Sequence, residues 1–71
     1  MLRRFIVVRK KMTQEIIQQE EIVLSEYPSL EEMAKTVAQK VMNYEKQYPY
    51  PEYEILSGTA ETLQDFLESF P

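Results

Sequence analysis

Apolar and polar positions along the chain separate into five elements. Near the start, Phe5-Ile6-Val7-Val8 is rich in β-branched side chains and has arginine or lysine on both flanks. That pattern reads as a strand over about residues 2–10. Alternation along a strand sends Phe5 and Val7 to one face and Ile6 and Val8 to the other. Both faces are then apolar, as a central strand covered on both sides requires. Residues 11–14, Lys-Met-Thr-Gln, turn the chain, although no glycine or proline fixes the turn type.

Residues 15–26 fit two periods. A helical wheel groups Ile16, Ile17, Val23 and Leu24, whereas a strand groups Ile16, Ile22 and Leu24, with Gln18 and Glu20 interrupting the row. The run Ile22-Val23-Leu24, just before a strong helix start, favours a strand at about 20–26. Residues 12–19 stay structurally open.

The next element has the clearest signature. Ser29-Leu30-Glu31-Glu32 matches a capping box, in which Ser29 takes an amide three residues on and Glu32 reaches back. Glu31 and Glu32 also stand where the helix dipole favours acids. Leu30, Met33, Ala34, Val37, Ala38, Val41 and Met42 follow at three-and-four spacing, and Tyr44 and Tyr48 extend the row. A helix over about residues 30–47 follows.

Tyr53-Glu54-Ile55-Leu56 then reads as a short strand, about 53–56. Ser57-Gly58-Thr59 supplies a turn, with Thr59 as a candidate cap and Glu61 in the first helical turn. Leu63, Phe66, Leu67 and Phe70 fall at i, i+3, i+4 and i+7, an apolar stripe for a helix over about 60–70 that Pro71 ends.

The resulting order, β-β-α-β-α, predicts one small α+β domain over residues 1–71. Its simplest sheet is three-stranded and antiparallel in the order 2-1-3, with two helices. The long helix covers one face of that sheet. The other face needs cover as well, from the C-terminal helix or from a second copy of the chain.

Composition narrows the chemistry. The 71 residues include no cysteine and no histidine. Disulfides and thiolate chemistry are excluded, and the commonest general base and metal ligand are missing. A chain this short buries only about 60% of its unfolded surface, so its core should be small and a partner subunit is a fair expectation. The four-residue apolar run near the N-terminus falls short of a signal-peptide core. No stretch approaches the length of a membrane span. The expectation is a cytoplasmic protein without a membrane partner.

Charge is unevenly placed. Residues 1–11 carry five basic groups, Arg3, Arg4, Arg9, Lys10 and Lys11, and no acid; the remainder carries three lysines and all twelve acids. The five cations are candidate anion contacts, and nucleic-acid binding through this basic strand is one function class to weigh. The acidic remainder and the lack of interleaved aromatics argue against it; cations flanking an apolar strand ordinarily block edge pairing. The acidic pairs Glu20-Glu21, Glu31-Glu32, and Glu52 with Glu54 lack the spacing of a calcium loop and read as solvated or helix-capping charge. A third class is an acidic inhibitor that occupies a basic cleft on a host protein.

Catalytic signatures are absent from the sequence. Gly58 is the only glycine, so no phosphate cradle exists, and no serine has a histidine to activate it. The expectation is a non-enzyme with no cofactor and no metal.

The segment Tyr48-Pro49-Tyr50-Pro51-Glu52-Tyr53 resembles a ligand motif, but its prolines are spaced P-x-P and not P-x-x-P. Each proline instead keeps the preceding residue out of the α region, which suits a connector from helix to strand. With Tyr44, this segment concentrates aromatic surface at one corner, so Tyr44, Tyr48, Tyr50 and Tyr53 are the candidate partner-binding residues. The function expected is a small non-enzymatic interaction or regulatory module of the kind found as a bacterial or phage accessory protein. Its partners are a second copy of itself, as a homodimer, and another protein.

Overall fold

The computed structural model describes residues 2–70. Five main elements and one short turn of helix follow one another: β1 (Arg3–Lys10), β2 (Ile16–Ile22), a 3₁₀ turn (Leu24–Glu26), α1 (Leu30–Gln47), β3 (Tyr53–Ala60) and α2 (Leu63–Glu68). The sheet is three-stranded in the order β2-β1-β3, and both neighbours run antiparallel to β1. The α+β architecture is the one expected from the order of elements.

Central β1 divides the core into two layers. Ile6 packs with Ile22, Met33 and Val37 beneath α1. Phe5 and Val7 pack with Phe66 of α2 on the opposite face. The second face is therefore covered by the C-terminal helix. Phe5, Ile6, Val7 and Val8 are all buried, so one strand anchors both layers.

Helix α1 has the bounds and the N-cap residue that its sequence signature predicts. Ser29 is extended and its hydroxyl accepts the Glu32 amide at 3.1 Å. The reciprocal half of the capping box is not formed; the Glu32 carboxylate lies 3.9 Å from Lys35 instead.

Three boundaries differ from the sequence reading. The second strand spans Ile16–Ile22 and not 20–26, because its polar run lies at the sheet margin, where solvent takes the side chains. Only Ile22 of the apolar triplet stays in the strand, while Leu24 joins the 3₁₀ turn and packs on the α1-side core. The third strand runs to Ala60 and not Leu56, because Gly58 works as a strand residue and leaves room for Phe66. In consequence Thr59 is no cap, and the last helix starts at Leu63 and not near 60. Thr62 caps it, accepting the Asp65 amide at 3.1 Å. Pro71, the expected terminator, lies outside the described residues.

Between β1 and β2 the chain closes with Lys10 N–H on the Glu15 carbonyl (2.8 Å) and Gln14 N–H on the Lys10 carbonyl (2.7 Å). Gln14 takes a left-handed φ of 62° to complete the turn.

Candidate functional site

The sheet has two margins, and they differ. The β2 margin carries a register shift opposite Val8 and Arg9, where Ile17 is the extra residue, and it presents Glu20 and Glu21. A bulge and charged side chains are devices that keep a sheet edge from pairing with another chain. The β3 margin has neither device. From Ile55 to Ala60 the sequence is Ile-Leu-Ser-Gly-Thr-Ala, with no charge, no proline and no register shift against β1.

Hydrogen bonds next to the strands fix which backbone groups of β3 face outward. Lys11 N–H donates to the Glu52 carbonyl at 3.0 Å, whereas Lys10 N–H turns to Glu15 on the β2 side. Antiparallel ladders alternate, so Arg9, Val7 and Phe5 bond across to Glu54, Leu56 and Gly58. The N–H and C=O groups of Ile55, Ser57 and Thr59 then point away from the sheet. Tyr53 obeys the same alternation: its N–H faces outward and is taken by the Pro49 carbonyl at 3.3 Å. Among the described residues nothing takes the outward groups of Ile55, Ser57 and Thr59.

Helix α1 overhangs this margin. Met33 and Val37 point into the core, while Leu30, Ala34, Ala38 and Met42, four residues apart, form an exposed apolar flank. Leu30 keeps 72% and Met42 53% of its exposure. Ala34, Ala38 and Met42 share an open groove with Ser57 of β3. Arg4 and Glu45 also line that groove. Arg4 donates to the Ser57 hydroxyl from Nη2 at 3.1 Å and from Nε at 3.3 Å. Glu45 lies towards the other end, where the groove continues past Ile55 and Tyr53.

Tyr48, Tyr50 and Tyr53 line that far end, and Tyr44 joins them through Tyr48 from the β2 side of α1. Tyr44, Tyr48 and Tyr53 form a ladder with ring centroids 6.4 and 5.2 Å apart. The Tyr48 hydroxyl accepts from Gln18 at 3.3 Å, and Tyr44 donates to Glu20 at 2.8 Å. These rings are braced between α1 and the sheet. Tyr50 stands apart from the packing, 78% exposed, with the Lys11 ammonium 4.8 Å over its ring.

The basic residues are not gathered into one patch. Alternation places Arg3 and Arg9 on the α2 side of β1, and Arg4 and Lys10 on the α1 side. Arg3 pairs with Glu21 at 3.1 Å and buried Arg9 with Glu54. Lys11 sits on Tyr50 and Arg4 on Ser57. No single surface collects the five, and most are engaged within the fold.

One ionic cluster lies under α1. Glu20 accepts from Lys40 and from Tyr44. The hydrogen bond from Lys40 holds the Glu20 carboxyl below its ordinary value, and the same bond raises Lys40. Burial, with Glu20 beside it, pushes the Tyr44 phenol up. Every member is satisfied, which marks the cluster as a strut between β2 and α1. Among the described residues no group of three or more acidic side chains could hold a metal ion, and no helix is long and apolar enough to cross a membrane.

Sequence reading grouped Tyr44, Tyr48 and Tyr53, which the fold brings together, but missed the β3 margin. The signal lay in α1: seven apolar positions make a stripe wider than one sheet contact needs, and Leu30, Ala34, Ala38 and Met42 are the surplus. No protein-family model, curated protein or solved structure matches the chain.

Proposed function

We propose that this protein is a small non-enzymatic interaction module that joins another chain through the outer edge of β3. The observation that carries the reading is the contrast between the two sheet margins. The β2 edge is bulged and carries the ion-paired charges of Glu20 and Glu21, whereas Ile55, Ser57 and Thr59 present unpaired backbone groups beside an apolar helix flank. Strand addition takes its affinity from main-chain hydrogen bonds and its selectivity from side-chain contacts alongside. Both are provided here: the edge supplies donors and acceptors, and the groove under Ala34, Ala38 and Met42 receives side chains of the added strand.

A selection from a random octapeptide library tests the reading. Bound peptides should be β-branched and extended, and they should be lost on Thr59→Pro, which removes one outward N–H without touching the bonds to β1. A library that enriches equally on the variant would contradict it.

A further inference from the structure

The β3 edge admits several occupants, and the residues around it favour one. We infer that a second copy of this chain fills the edge, so that two β3 strands pair antiparallel about a twofold axis at Ser57 and form one continuous six-stranded sheet. The inference rests on the strand-addition reading above and specifies its partner.

Register supports the choice. The outward-facing residues Ile55, Ser57 and Thr59 are symmetric about Ser57, so a twofold there sets Ile55 against the partner's Thr59 and Ser57 against the partner's Ser57. Each is a pair that exchanges both of its hydrogen bonds. Any other antiparallel self-register leaves the outward groups of at least one of these residues unmatched on each strand.

Charge supports it too. Arg4 and Glu45 line the same groove, Arg4 over Ser57 and Glu45 towards Ile55 and Tyr53. Among the described residues neither is ion-paired within the chain. A twofold at Ser57 inverts the groove, bringing each Arg4 towards the partner's Glu45. The four charges then alternate in sign around the axis, which opposes the repulsion between the two arginines. The same operation would set like against like if both ends of the groove carried one sign.

The helix flank completes the fit. Twelve residue steps separate Leu30 from Met42, about 18 Å of helix. An added strand reaches that flank only from below, whereas a second copy brings an identical apolar flank to lie against it. Ala34 and Ala38, at its middle, are small enough for the two helices to approach closely.

Sedimentation equilibrium on the whole chain at tens of micromolar tests the inference. A species of twice 8.5 kDa is expected. Arg4→Glu and Glu45→Arg should each weaken the dimer by about tenfold or more, and the double swap should recover most of the loss. Ala38→Glu, at an exposed position that leaves the core alone, should give monomer while the melting transition stays near wild type. A monomeric wild type, a dimer indifferent to Ala38→Glu, or single swaps without rescue would each overturn the inference. The peptide selection judges the broader reading separately: a monomer that still enriches extended peptides keeps strand addition and loses only self-pairing.

Discussion

Gly58 and Phe66 meet where a Cβ would crowd the ring by a few tenths of an ångström. A methyl group built at Gly58 would stand 3.0 Å from Cε1 of Phe66, and that ring is 2% exposed, held against Phe5 and Phe70. Glycine is the residue that lets α2 sit flat on the sheet. Gly58→Ala should therefore destabilise the fold by about 1–2 kcal/mol, overpacking outweighing the smaller gain from a stiffer unfolded chain. Phe66→Ala, which strips the cover from Phe5 and Val7, should cost about 3–5 kcal/mol. Denaturant titration of both variants checks the order.

Gln14 bears the only left-handed backbone angle among the described non-glycine residues, a φ of 62° in the β1–β2 turn. Its backbone is what the turn uses, through the 2.7 Å bond to the Lys10 carbonyl. Gln14→Gly removes the Cβ penalty and should raise stability by about 0.5–1 kcal/mol. A melting temperature that fell would contradict this account of the turn.

How far the sequence reveals each element follows from where its causes lie. Helix α1 is legible because its causes are local: Ser29 caps, Glu31 and Glu32 suit the first turn, and the apolar spacing runs unbroken. Strand β1 is legible because it is apolar on both faces. Strand β2 is hidden because an edge strand answers to solvent and partner charges. Glu20 breaks the strand pattern in sequence yet sits under α1, answered by Lys40 and Tyr44, which lie 20 and 24 residues away. Gly58 misleads for a related reason: locally it signals a turn, and only the tertiary approach of Phe66 explains it. The candidate site was half legible. Aromatic density marks the tyrosine corner, but an unpaired edge is a property of the assembled sheet, and no residue of β3 announces it.

The Glu20–Lys40–Tyr44 strut makes stability depend on pH at both extremes. Glu20 titrates below its ordinary 4.5 in the fold, so its contribution is present above that value and is lost as pH falls through the lowered one. Lys40 titrates above 10.5, so its share is complete below that value and is lost as pH rises through the raised one. The Lys40 side chain is 36% exposed, and screening limits the pair to about 1 kcal/mol or less. Glu20→Gln should flatten the acid limb of a stability–pH curve; an unchanged limb would remove Glu20 from the account.

Tyr50 is the tyrosine that the fold does not need. It stands exposed, and its contact with Lys11 is one that solvent weakens. Tyr50→Ala should leave stability within about 1 kcal/mol of wild type. Tyr44→Ala, which leaves Glu20 short of a donor and opens the aromatic ladder, should cost more. Melting curves of the two variants decide it, and a large fall for Tyr50→Ala would place that ring in the core.

The central claim, that a second β3 strand completes the sheet, comes down to two neighbouring amides. The N–H of Leu56 points to β1 and is bonded within one chain, while that of Ser57 points outward, has no partner among the described residues, and would gain one in the proposed dimer. Hydrogen exchange measured across a dilution series separates them. Leu56 should be protected at every concentration, and Ser57 should gain protection as concentration rises, in step with dimer formation. A Ser57 amide that exchanges freely at all concentrations, in a chain whose Leu56 is protected, would contradict the account.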